Sequence, residues 1–569
     1  MNMTWECSDH CRQESRRHER LEMPPDRECR ALSEGYFANA EILECGIPSN
    51  YILLIPRTAV LVIYLAFQRY QKGLNKYQGP FVASLTNNWR LVDVWKRDAH
   101  TTFRRIHQQY GDIVRVAPNV LSFGHPSAIS DIYGLNKGYT KSGYYDVFAT
   151  LNNGNIIYNL FSTRSEAFHA RLRGSVNHAF ALSTLLDYEP LVDSCTSYFF
   201  RRTQELFVDT GRACLFSEWI QFFAFDVIGE IPWSERLGFV QGNKDISDII
   251  ATVDSFQSYG TVVGQNPWLD SLFVKNPFKR RLESNGLWPA SPNTAIVNFA
   301  LARQHEHAKR ARDDHQQQGT HRGKGVNFLQ QFLQSQEKSP EFLTDDRITG
   351  MCASLIIAGS DSTAISLSAV FYYLLQNPRV YHRLHQEIDA ADEAGTLASS
   401  SPSSMGSTGG AGHVIPFTAA NKLPYLDAVI TESFRMHPAV GLLLERVTPP
   451  QGATICGEYV PVIHQNNEVF GPDADVYRPE RWLESEGADP AQLSRMRQSM
   501  FQFGAGSRTC IGRNISLMET YKMLPTFLRK FAVELAEPEE KMYLKNAFFV
   551  HRKNFNLHIR LRSKGEKLV

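Results

Sequence analysis

The run Phe503-Gly504-Ala505-Gly506-Ser507-Arg508-Thr509-Cys510-Ile511-Gly512 sets one cysteine in a glycine-rich turn, two residues after an arginine. Such an arrangement presents a single thiolate to a metal. The nearest earlier cysteine is Cys456, so zinc-finger and iron–sulfur spacings are not met, and no Cys-x-x-Cys-His motif is present. Gly504, Gly506 and Gly512 let the backbone bend sharply and approach a flat group that a Cβ would hold away. Residues 511–531 repeat apolar side chains at helical spacing, among them Ile515, Met518, Leu524 and Phe527. Cys510 is therefore expected at a helix N-terminus, where the positive helix end and a metal both favour the deprotonated sulfur. Stripped of this context, a cysteine beside a turn reads as a buried inert thiol.

A second group lies on the longest helix the sequence predicts. Thr344 before Asp345 and Asp346 reads as an N-cap with acids in the first turn, and Pro378 ends the helix after about nine turns. Within residues 351–375 the only charge is Asp361, preceded by Ala358-Gly359-Ser360 and followed by Ser362-Thr363. A glycine in mid-helix costs about 1 kcal/mol against alanine, and an unpartnered carboxylate on an apolar helix costs more. Penalties placed together point to a working site. The same stretch also meets the length of a membrane span, although its serines make it more polar than lipid prefers.

A third group, Glu432-Ser433-Phe434-Arg435, puts opposite charges at i and i+3 on one helix face, and Pro479-Glu480-Arg481-Trp482 follows further on. Taken alone such a pair is an ordinary surface feature that contributes little.

Together, in this order, the three groups resemble the cytochrome P450 family, whose haem-binding signature Phe-x-x-Gly-x-Arg-x-Cys-x-Gly is matched in full by Phe503 to Gly512. The resemblance covers about residues 76–561. It implies a mainly α fold with small β-sheets, with haem b held between the long central helix and the cysteine loop, and Cys510 as the axial ligand to iron. By the same resemblance Gly359 opens room for dioxygen, Asp361 and Ser362 form the acid–alcohol pair that relays protons, and Thr363 shares that task. The commoner residue at Ser362 is threonine; the serine keeps the hydroxyl. Glu432, Arg435 and Arg481 would form a buried structural network beneath the cysteine loop. Phe503, Arg508, Arg446, His169 and Arg173 would contact the haem, the cations through its propionates, for which the planar guanidinium is suited.

The implied reaction is insertion of one atom of O2 into a lipophilic small molecule. Electrons would come from an NADPH–cytochrome P450 reductase, since no dinucleotide fingerprint or flavin domain is present. The run Leu444-Glu445-Arg446-Val447 leading into Gly452-Ala453-Thr454-Ile455-Cys456-Gly457 is most similar to fungal members of the pisatin demethylase-like group, many of which serve secondary metabolism. Pocket walls implied by the resemblance are residues 144–155, 256–268, 358, 439–443 and 547–549, largely apolar and aromatic. Two other readings stand beside this one: a haem-thiolate isomerase or dehydratase, and an inactive haem protein. The second arises because Pro461 is followed at once by Val462-Ile463-His464, where relatives usually carry a further strand and turn, so that roughly ten residues are short, about the length of a strand and its connection.

The elements that must hold these groups fit a chain of 569 residues, 43% of them hydrophobic, which is ample for a large core. Lys plus Arg total 60 against 59 Asp plus Glu, so the near-neutral balance implies no nucleic-acid partner. Nine cysteines without a framework indicate a reducing compartment, although Cys7, Cys11, Cys29 and Cys45 crowd the start. Residues 1–50 read as a polar, disordered extension without a secretory signal. Residues 51–75 read as a membrane anchor with a basic flank of Arg69 and Lys72, weakened by Arg57; this places residues 76–569, the catalytic domain, on the cytosolic side of the endoplasmic reticulum membrane. Residues 110–123 read as short alternating strands, and residues 305–324 and 398–412 as surface loops.

Overall fold

The computed structural model describes residues 49–318, 327–398, 413–453, 455, 466–539 and 542–563, with side chains from residue 58 on except Lys72 and residues 311–318. The chain divides into two units, residues 1–60 and 61–569. Of the first, only the beginning of a helix is described. The sequence expectations for residues 1–48, for residues 319–324 and 399–412 of the two expected loops, for Cys456 and for the shortening after Pro461 lie outside the described residues; residues 305–318, expected as part of a surface loop, instead form the end of a long helix, Pro292–Gln318.

The fold is mainly helical with small antiparallel sheets. The helices that matter for the site are α1 (Ser49–Tyr70), α2 (Glu166–Val176), α3 (Phe216–Trp233), α4 (Ile249–Val263), α5 (Asp345–Gln376), α6 (Pro424–Met436) and α7 (Arg513–Lys530). Helix α5 runs through the centre. Extended backbone at Thr344 starts it, with Asp345 and Asp346 in its first turn, and Asn377 breaks the helical dihedrals just before Pro378. Most of its apolar window is buried against the protein, which makes it a core helix and not a second membrane span. Helix α3, buried along nearly its whole length, packs against α5 more extensively than any other element. Its interior is aromatic, and Phe216 stands edge-on to Phe371 of α5 at 4.8 Å.

The predicted strands near residue 113 form the antiparallel pair Ile113–Ala117 and Val120–Phe123. Four more strands frame the site: β1 (Thr140–Lys141), β2 (Arg446–Val447), β3 (Tyr543–Ala547) and β4 (Phe549–Lys553). Strand β1 pairs with β2 so that Lys141 lies directly opposite Arg446. Strands β3 and β4 form a tight hairpin turned at Phe548, whose φ of 79° is one a bulky side chain rarely adopts. That turn sends an aromatic ring toward Phe148 and Phe161, at centroid distances of 5.5 and 5.6 Å.

Candidate active site

The cysteine loop is shaped as its glycines require. Gly504 and Gly506 have φ of 69° and 64°, and a Cβ on Gly506 would fall 1.8 Å from the Tyr133 carbonyl oxygen. Cys510 N–H donates to Phe503 O at 2.8 Å, closing the loop, and α7 begins three residues later. The thiol is exposed on a cavity of about 330 Å³. Desolvation raises its pKa; the Gly512 and Arg513 backbone N–H groups and the Arg173 charge oppose this without cancelling it. Ionisation of this sulfur thus calls for a further positive charge, which a bound metal supplies.

Across the cavity from α5 come Gly359, Ser362 and Thr363, all part of the lining with Cys510 and Phe503. Ser362 Oγ donates to Ala358 O at 2.6 Å, the turn-backward bond typical of serine in a helix. The position of Gly359 has a further reason: a Cβ there would meet Ile228 Cδ1 of α3 at 2.4 Å, so the glycine lets α3 approach. Asp361 does not line the cavity. It is 2% exposed, its Oδ1 accepting from Gln221 Nε2 at 2.6 Å and its Oδ2 from Gln257 Nε2 at 3.0 Å.

The cations of the site form one cluster. His169 and Arg173 on α2 and Arg508 line the cavity; Arg446 does not, and lies over the Tyr133 ring with its guanidinium donating to Tyr145 Oη at 3.1 Å. Arg173 also donates to Thr509 O at 2.7 Å and so ties α2 to the cysteine loop. Arg508 is paired with Glu166 at 2.7 Å. Lys141, which sequence reasoning did not single out, lines the same cavity, 4% exposed, its Nζ donating to Phe161 O and lying 4.2 Å from the Tyr145 ring centroid. Burial, then Arg508 and Arg446, push the Lys141 ammonium far down, with Glu166 opposing. Burial and the same cations push His169 down to about 3. Glu445 offers little relief, being engaged by Arg90 and Ser142.

Buried Lys141 and half-buried Arg173, Arg446 and Arg508, faced mainly by Glu166, are an incomplete electrostatic set that an anion would complete. The two propionates of haem would supply that charge, and the thiol on the same cavity is placed where it could serve as a metal ligand. The residues present therefore fit haem.

Beneath the loop, Glu432 accepts from Arg435 at 2.8 Å, Arg481 at 2.9 Å, Trp482 Nε1 at 2.9 Å and the Arg478 backbone at 2.9 Å, with the three charged side chains almost fully buried. Burial alone would raise the Glu432 pKa; the two guanidiniums outweigh it and hold the carboxyl below its ordinary value. The rest of the cavity is apolar and aromatic. Of the expected walls, Phe148, Phe256, Ala358, Ala439, Val440 and Phe549 take part.

Comparison with known proteins agrees with this geometry. The family model for cytochrome P450 matches residues 78–559. The cytochrome P450 monooxygenase cicH of Emericella nidulans is 37% identical over 524 residues, 90% of this chain and 98% of that protein. A cytochrome P450 monooxygenase of Aspergillus terreus is 35% identical over 498 residues, 85% and 96% of the two chains. The cytochrome P450 monooxygenase cfoH of Aspergillus candidus is 30% identical over 529 residues, 90% and 92%.

Proposed function

The chain belongs to the cytochrome P450 family and is a haem-thiolate monooxygenase, and from that premise we propose that Cys510 would hold the haem iron in an enzyme that inserts oxygen into a lipophilic small molecule in fungal secondary metabolism. The observation that carries the assignment is that the Cys510 thiol opens on the same cavity as Gly359 and Ser362 of the central helix. When bound, haem would supply a redox-active iron for oxygen chemistry, with electrons from a redox partner.

The chain's own residues do the rest. Arg508, Arg173, His169 and Lys141 would hold the propionates, with Arg446 adding its charge from the neighbouring strand and Phe503 offering an apolar contact from the cavity wall. Ser362 carries a hydroxyl on the cavity that can donate and accept a proton, Thr363 stands beside it, and Asp361 holds the charge behind them. Glu432, Arg435 and Arg481 keep the loop in register. The aromatic walls exclude water and select an apolar substrate by shape.

We further propose a membrane-associated enzyme on the cytosolic face of the endoplasmic reticulum, served by an NADPH–cytochrome P450 reductase. Support comes from exposed apolar side chains on α1, with Leu61, Val62, Ile63 and Phe67 each more than half exposed, and from Trp268, Phe278 and Leu287 on another surface segment.

The test is the reduced, carbon monoxide-bound difference spectrum of the expressed full chain. A strongly red-shifted Soret band, lost in Cys510→Ser, is expected. Soluble protein that takes up no haem, or a band unaffected by the substitution, overturns the assignment.

A further inference from the structure

The segment after α4 carries Trp268, Leu272 and Phe273, each more than half exposed, and in the same stretch Lys275 turns inward and is 9% exposed. Its ammonium has three protons and spends all of them inside the protein: on Asp270 Oδ2 at 2.6 Å, on Asp146 O at 2.6 Å and on Val147 O at 3.1 Å. Asp270, itself 4% exposed, accepts from Tyr259 Oη of α4 at 2.7 Å on its other oxygen. Burial lowers the Lys275 pKa, and the Asp270 carboxylate is the chief group opposing it. A buried lysine at the foot of an apolar surface costs more than an apolar side chain would, unless its bonds fix something that packing leaves free.

What these bonds fix is the turn Gly143–Phe148. Asp146 O and Val147 O are successive carbonyls of that turn, and the next residue, Phe148, lines the cavity. At the other end of the turn, Pro267 Cγ stands 3.6 Å from where a Cβ on Gly143 would lie, so both ends rest on the segment after α4. The Phe148 ring meets Phe256 of α4 edge-on at 5.8 Å and Phe161 at 5.5 Å. Gly260 of α4 leaves room for it, since a Cβ there would fall 2.7 Å from Phe148 Cε1. Contacts between rings tolerate sliding, whereas hydrogen bonds to two successive carbonyls are tied to distance and angle. We propose that Lys275 is a specificity-positioning residue: by fastening the Gly143–Phe148 turn to the segment after α4, it sets how far the Phe148 ring stands into the cavity and so the bulk of the apolar substrate admitted there. This rests on the monooxygenase reading above. Lys275 does not line the cavity; it acts through Phe148.

The test uses the full-length haem-loaded protein and two ligands that bind haem iron through an imidazole nitrogen, imidazole itself and the bulky clotrimazole. Dissociation constants are read from the shift of the Soret band. Loss of the three bonds in Lys275→Met should let the ring retreat, so that clotrimazole binds about tenfold more tightly while imidazole binds as it does to the parent. Phe148→Ala should give the same selective gain, and the two substitutions together no more than either alone, because the lysine acts through the ring. An unmoved clotrimazole affinity overturns the inference. So do equal changes for both ligands, or gains that multiply in the double variant, since these report a general loosening of the fold. Lys275→Gln, whose amide holds at most two of the three acceptors, replaces the methionine variant under the same criteria if that one lacks the red-shifted carbon monoxide band. A parent without that band sinks the monooxygenase reading itself, whereas a parent with it and an indifferent Lys275 sinks this inference alone.

Discussion

Phe434 of helix α6 stands edge-on to Phe503 of the cysteine loop, ring centroids 6.0 Å apart and planes at 82°. The contact joins the element carrying Glu432 and Arg435 to the element carrying Cys510, so the buried ion network and the proposed haem ligand share one aromatic hinge. Disturbance of either is transmitted to the other through packing.

Glu432→Ala should therefore release haem without touching it. The substitution removes the carboxylate that faces buried Arg435 and Arg481 and leaves only Asp473 against Arg481, at a cost of about 3–5 kcal/mol. Haem content per mole of purified protein and the chemical denaturation midpoint should both fall. Full haem occupancy at unchanged stability would contradict the bracing role.

Lys141→Met should act in opposite directions on the two forms of the protein. In the haem-free form it removes a buried, like-charged cation and should raise stability by about 1 kcal/mol or more. In the haem-loaded form it removes a propionate partner and should speed transfer of haem to an acceptor globin. A variant that destabilises the haem-free form would show that Lys141 is already compensated by the protein.

His169 makes the stability of the haem-free protein depend on pH in a fixed sense. Its folded pKa of about 3 lies below the ordinary 6.5, so its contribution is fully present above pH 6.5 and is lost as pH falls toward 3. Between pH 7 and pH 5.5, His169→Asn should reduce the loss of stability by about 1 kcal/mol after allowance for screening. Denaturant unfolding of both proteins at the two pH values checks this; parallel losses would remove His169 from the account.

Gly359→Ala should force Ile228 out of its place between α3 and α5, at about 1–3 kcal/mol. Ile228→Val in the same chain should restore part of that loss, giving clear non-additivity in thermal unfolding. Additive effects would mean that the glycine serves only the cavity.

The cysteine loop, the central helix and the Glu432 pair were legible because each is local: glycines beside one thiol, a glycine and an acid on an apolar helix, charges three residues apart. Asp361 was legible as a residue and misleading as a position, since the sequence does not say that two distant glutamines hold it outside the cavity. Gly359 read as open room, and the structure adds Ile228 packed where its Cβ would lie. Gln257 was legible only as part of an expected pocket wall, and Lys141 gave no signal at all. Their significance comes from neighbours a hundred or more positions away, Asp361 for the one and Arg446 for the other, on a helix with an ordinary amphipathic pattern and a two-residue strand.

The short ladder of β1 and β2 sets Lys141 opposite Arg446, where unlike or neutral residues would stabilise a strand pair and like charges weaken it. The ladder joins segments that lie far apart along the chain, and such closures come late because of their entropy. A seam of like charges that a bound dianion would relieve would tie cofactor capture to the last step of chain closure. The enzyme would then finish folding only on the molecule it needs, and a chain that never met haem would stay marked, at that seam, as incomplete.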